Sequence, residues 1–204
     1  MSITRLISVG MKAIATVFVL FPFVAPAQAI YLSESGGVAR LSGTFEKDDE
    51  KIFAQFLAQK RATPLHTLWL ESRGGAVYPA MSIGQLVRKA HLATAMRADA
   101  ASCDSSCTLV FVSGVRRHYV NGNSVFEGTS SLSGLGFHSA NVRGDAVRPA
   151  TKSHEATAEM GKFYRNMGVS GASDLMDRAS ITTVYRPSGA TALKSRIATS
   201  LAAP

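Results

Sequence analysis

The sequence predicts an α/β fold, and two observations carry that expectation. Apolar runs of strand length at residues 38–44, 66–71 and 92–96 alternate with segments of helical period. Polar or glycine-bearing turns separate strand from helix, at Ser72-Arg73-Gly74-Gly75 and again at Ala101-Ser102-Cys103-Asp104-Ser105-Ser106. Strands that alternate with helices need crossover connections, and these are right-handed almost without exception.

The elements follow in order. Residues 38–44, "VARLSGT", read as a strand. "EKDDEKIFAQFLAQK" reads as a helix with Ile52, Phe53, Phe56 and Leu57 on one face and acids in its first turn, where the macrodipole favours them. His66 to Glu71 is a strand of buried character. Ala76 to Ala90 is a second helix, with Met81, Ile83, Leu86 and Val87 apolar and Pro79 in the first turn, where proline is tolerated. Leu92 to Met96 is a third strand, and Ser106 to about Val112 a short apolar helix. "VRRHYVNGNS" runs from strand into turn, and Leu135 to His138 is a further short strand. Residues 141–155 read as a surface loop or flap. Helices are expected over 152–167, 171–179 and 189–198.

Composition narrows the function classes. The chain has 204 residues, 46% hydrophobic and 18% charged, enough apolar material for a core and no sign of bulk disorder. The net charge is +8, but the basic residues are scattered, so no nucleic-acid partner is expected. Residues 1–29 stand apart. Arg5 and Lys12 are their only charges, Ala13 to Val24 is apolar, and Ala27 and Ala29 fit an A-x-A cleavage site. They read as a secretory signal peptide, leaving residues 30–204 as one domain that begins at Ile30 and works in the periplasm or outside the cell. The apolar stretch is short and broken by Pro22, so no membrane span is expected after cleavage.

Three places carry chemistry. Gly74-Gly75 precedes a helix, where glycine lets the backbone turn tightly and free N–H groups can meet an oxyanion; a plain turn reads equally from these residues alone. It is neither a Walker A loop nor a dinucleotide fingerprint. In "ASCDSSCTLVF" a serine stands at the mouth of a helix, as an activated nucleophile or as an ordinary cap. His138 is the candidate base; the other four histidines, His66, His91, His118 and His154, have no partner pattern, and no metal or cofactor is expected.

The succession "SRGGAVYPAMSIGQLV", "CDSSCTLVF" and "GLGFH" resembles the Clp protease proteolytic subunit and its wider Clp/crotonase superfamily. It is most similar to a branch of exported bacterial proteins with a Cys-Ala-Ser-Ala-Cys serine motif. The resemblance covers residues 38–140 well and the last sixty or so poorly. It implies a Clp/crotonase-like fold of repeated β-β-α units. It also implies Ser105 as nucleophile, His138 as general base, and an oxyanion hole from Ser106 with Gly75 or Gly74. The third, acidic member falls in the poorly matched segment, where Asp177 and Asp174 are candidates and the spacing is nearer Thr182 or Thr183. Asp104 replaces a small residue beside the nucleophile, where it would raise the His138 pKa or crowd the substrate. Cys103 and Cys107 bracket the serine, either as a disulfide or as two buried thiols. The implied activity is ATP-independent acyl transfer on a peptide or small acyl substrate by a homo-oligomer. The competing reading is a non-catalytic periplasmic binding or assembly module on the same fold.

Overall fold

The computed structural model describes residues 29–142, 144 and 149–204. Strand β1 (Tyr31–Ser35) turns back at Gly36-Gly37 into β2 (Val38–Ser42). There follow α1 (Asp49–Ala58), β3 (Thr67–Glu71), α2 (Val77–Lys89), β4 (Ala93–Arg97), β5 (Ser102–Asp104), α3 (Cys107–Val112) and β6 (Arg117–Val120). The main sheet has the order β1-β2-β3-β4-β6, antiparallel between β1 and β2 and parallel thereafter. The signal peptide expected over residues 1–29 lies, but for Ala29, outside the described residues.

A second, shorter ladder positions the site. After each of β2, β3 and β4 the chain makes a brief extended segment before entering its helix. These segments pair with one another in parallel: Phe45 with Gly75, Ser72 with Cys103, and β5 with β7 (Gly134–Gly136). Phe137 then pairs with Tyr185. The repeat is therefore β-β-α, and it brings three separate strand-to-helix turns side by side.

Burial follows the sequence pattern. In α1, Phe53 and Phe56 are buried, stacked with ring centroids 6.3 Å apart, while Ile52 is exposed. Burying such a side chain stabilises by about 1.5–3 kcal/mol. In α2, Ala80, Ile83, Gly84 and Val87 face inward, and α1 packs on α2 as α2 packs on α3. Helix α3 is buried along its whole length, so it is the central helix rather than an amphipathic one.

In the C-terminal part β8 (Asn141–Val142) pairs antiparallel with β9 (Thr151–Lys152), inside the segment read as a loop or flap, of which residues 143 and 145–148 lie outside the described residues. Helices α4 (His154–Asn166), α5 (Gly171–Met176) and α6 (Gly189–Lys194) follow. Ser153 and Ser188 cap α4 and α6 through their hydroxyls, satisfying otherwise free N–H groups. Residues 199–201 then run beside β6: the Tyr119 N–H donates to Ser200 O at 2.9 Å and the Asn121 N–H to Leu201 O at 3.3 Å. Among the described residues no helix is long and apolar enough to cross a membrane.

Candidate active site

The double-glycine turn leaves one N–H unclaimed. Phe45 N–H donates to Gly74 O, and Ala76 N–H to Phe45 O, as a parallel bridge centred on Gly75 requires. Gly74 N–H donates to Ser72 Oγ at 3.1 Å. Gly75 C=O accepts from Ser106 Oγ at 3.2 Å, while its N–H has no partner among the described residues. Both glycines are required. Gly74 and Gly75 have φ of 96° and 136°, and a Cβ on Gly75 would strike Phe45 O. A Cβ on Gly74 would lie 2.8 Å from Ser105 Cβ, so the glycine turn and the serine turn touch.

Ser105 differs from its neighbours in what its hydroxyl does. Ser102 Oγ donates to Leu132 O and Ser106 Oγ to Gly75 O, and Ser106 is fully buried. Ser105 is half-buried, lines a cavity and makes no side-chain hydrogen bond among the described residues. Its φ is +55°, the left-handed region that non-glycine residues rarely adopt. Three devices hold it there. Its N–H donates to Gly136 O at 2.7 Å, its C=O accepts from Thr108 Oγ1 at 2.5 Å, and a Cys103–Cys107 disulfide, with Cα atoms 5.2 Å apart, spans it. Thr108 Oγ1 is itself paired with Tyr164 OH at 2.6 Å. The Ser106 N–H also lacks a partner among the described residues. Cys103 sits in β5 and Cys107 opens α3, so no regular helix runs through both ends of the bridge.

His138 lines the same cavity. Its Nδ1 is 2.8 Å from Ser139 O. A carbonyl only accepts, so Nδ1 carries the proton and Nε2 keeps its lone pair. Burial lowers the His138 pKa from its ordinary value, and the Ser139 carbonyl and the Asp104 charge oppose that shift in part. No hydrogen bond joins Ser105 Oγ to His138, a looseness common before substrate binds. Asp177 is not at His138: it follows α5 as its C-cap, is exposed, and pairs with Lys152 at 3.6 Å. Asp174 lies in the first turn of α5, and Thr182 and Thr183 bond with Ser180.

Asp104 neither crowds the cavity nor stands free. Its carboxylate is buried under Gly136 and held by Arg186, with Nη1 to Oδ1 at 2.6 Å and Nη2 to Oδ2 at 3.2 Å. Arg186 is 2% exposed and donates also to the carbonyls of Ser131, Leu132 and Gly134. This bidentate pair fixes the strand that carries the serine turn to the loop before β7. Sequence reasoning passed over Arg186, Thr108 and Tyr164.

The cavity holding Ser105 and His138 has a volume of about 380 Å³ and is walled by Thr44, Phe45, Glu46, Arg73 and Asn141. A larger one of about 670 Å³ shares Thr44 and Arg73 with it. Among the described residues no three His, Cys, Asp or Glu side chains gather where a metal ion could be held.

Comparison with solved structures identifies the architecture. A mutant of the 1510-N membrane-bound stomatin-specific protease superposes with a TM-score of 0.57 at 14% identity, covering 80% of this chain and 77% of that one. A second mutant of that protease, in complex with a substrate peptide, gives 0.56 at 13% identity, covering 80% and 73%. This chain has a Clp/crotonase-like fold. A probable enoyl-CoA hydratase/isomerase from Mycobacterium abscessus is similar more distantly, with a TM-score of 0.46 at 9% identity over 85% of this chain and 68% of that one. No protein-family model matches the chain, and a search of curated proteins finds no match either.

Proposed function

We propose that the protein is an exported serine hydrolase, an ATP-independent peptidase working by Ser–His acyl transfer. The observation that carries this reading is Ser105: alone among the three serines of its turn it has an uncommitted hydroxyl, on a strained backbone, at a cavity it shares with His138. Ser105 Oγ attacks the substrate carbonyl while His138 Nε2 takes its proton. The oxyanion accepts hydrogen bonds from the Gly75 and Ser106 N–H groups. His138 returns the proton to the leaving amine, and water then releases the acyl group. Gly74 shapes the turn rather than donating, since its own N–H is held by Ser72.

Peptide as substrate class is supported by the adjoining larger cavity, which gives room for chain beyond the scissile bond, and by the peptide complex of the structural neighbour. Export is supported by the signal-like residues 1–29 and by a disulfide, which persists in oxidising compartments. Self-association fits Phe126 and Leu132, 81% and 86% exposed. One observation favours the non-catalytic binding module instead: among the described residues no carboxylate reaches His138 Nδ1, which bonds a backbone carbonyl.

A fluorophosphonate probe decides between them. Labelling is expected on Ser105, located by mass spectrometry, lost in Ser105→Ala and His138→Ala, and kept in Ser102→Ala. If a control hydrolase labels and this protein in its oxidised state does not, the hydrolase reading fails.

A further inference from the structure

Asp49 is the first residue of α1, in the acidic run Glu46-Lys47-Asp48-Asp49-Glu50. An acid at that position normally faces solvent and the helix N-terminus. Here it is 1% exposed, and its Oδ1 has no hydrogen-bond partner among the described residues. Its Oδ2 accepts from the Glu46 N–H at 2.7 Å. Among the described residues the ion pair made within the run is that of Asp48 with Lys51, on the exposed side. A buried carboxylate oxygen without a donor costs several kcal/mol unless a cation completes it. No side-chain cation among the described residues does so.

The group that approaches is Ile30. Its side chain is 8% exposed and packed in the apolar core, its Cα stands 3.4 Å from where a Cβ on Gly43 would lie, three residues before Glu46, and its backbone N–H draws the Asp49 pKa down against burial without satisfying Oδ1. Burial dominates and holds the Asp49 carboxyl above the usual carboxylate range, with Glu46 and Glu50 adding to that shift. Ile30 is also the residue that the A-x-A site at Ala27 and Ala29 would leave at the chain start.

We propose that cleavage between Ala29 and Ile30 supplies the missing cation: the new Ile30 α-ammonium pairs with Asp49 and so orders one wall of the active-site cavity. An endopeptidase adds water across the Ala29–Ile30 amide. The C–N bond breaks, hydroxide joins the Ala29 carbonyl, and the freed amine takes up protons to become the ammonium. The link to the site is short. Asp49 holds Glu46, and the preceding Phe45 bonds Gly74 and Ala76 on either side of the candidate oxyanion donor Gly75. Thr44, Phe45 and Glu46 all line the cavity. The N-terminus is thus a positioning group, not a catalytic one. The pair rests on the signal-peptide reading, and its bearing on catalysis rests on the hydrolase reading.

The test compares chains that begin at Ile30 with chains that keep Ala29, each with Asp49 or Asp49→Asn, all ending at Pro204. The exported protein is first sequenced from its N-terminus, and a start other than Ile30 overturns the proposal. In the native Ile30 form an amine-acylating reagent should modify the α-amine at least about tenfold more slowly than in its Asp49→Asn variant. Keeping Ala29 should lower Tm by about 5 °C or more. Asp49→Asn should lower Tm in the Ile30 form but leave or raise it in the Ala29 form, where the carboxylate lacks its cation. Equal amine reactivity with and without Asp49, or an equal effect of Asp49→Asn on both forms, overturns the pair. Fluorophosphonate labelling of Ser105 should be fastest in the Ile30 form. If the amine protection and Tm pattern hold and no form labels, the ion pair stands and the hydrolase reading falls.

Discussion

Ser105 occupies a backbone conformation that costs a non-glycine residue about 1–3 kcal/mol, and the surrounding contacts keep it there. Two outcomes of opposite sign follow for Ser105→Gly. Glycine relieves the strain, so Tm should rise by a few degrees, while probe labelling should vanish. The base makes its own prediction. The folded His138 pKa is lowered by burial, so Nε2 is free to accept a proton at pH values below the ordinary 6.5. The labelling rate should climb with pH through a value under 6.5 and be level by neutrality. The unfolded chain binds a proton at His138 before the folded one does. Stability from this group is therefore full above the ordinary pKa and is lost as pH falls through the lowered one, which acid unfolding of His138→Gln would check.

At the scale of elements, the serine turn is clamped from two sides. Arg186→Met leaves the Asp104 carboxylate buried and unpaired, and should cost about 3–5 kcal/mol in urea unfolding. Asp104→Leu combined with Arg186→Met should recover part of this, the rest being lost with the Ser131, Leu132 and Gly134 carbonyls that Arg186 also serves. Cys103→Ala with Cys107→Ala opens a five-residue loop, worth about 2 kcal/mol, and should slow labelling because Ser105 loses a restraint. Strands β3 and β4, buried or nearly so on both faces, left short apolar runs, and β2, α1 and α2 were legible because each buries one face or one stripe, which leaves a period in the sequence. Strands β1 and β5 left none: "YLSES" lies at an edge, largely exposed, and Ser102–Asp104 pairs with the glycines of β7. Gly74-Gly75 and His138 stood out as local features, while the choice of Ser105 within its turn came from the family resemblance, since the turn alone reads also as a helix cap. Arg186 did not, because its partner Asp104 is 82 positions away and only the fold brings them together. The buried state of Asp49 was equally hidden, since an acid in the first turn of α1 looks complete as a helix start.

Across the whole molecule, the main sheet follows the order of the chain. Strand β1 lies at one edge, β2, β3, β4 and β6 succeed it, and residues 199–201 lie along the other. Each strand after the first therefore finds its neighbour already made when the chain is produced from its N-terminus. The growing edge, with its unpaired N–H and C=O groups, stays open until Ser200 docks on Tyr119 and Leu201 on Asn121. During all that time β6 can add a strand from another molecule in place of its own. A chain ended after Arg196 should accordingly form β-rich aggregates, seen by light scattering and thioflavin binding, although every residue of the candidate active site is present.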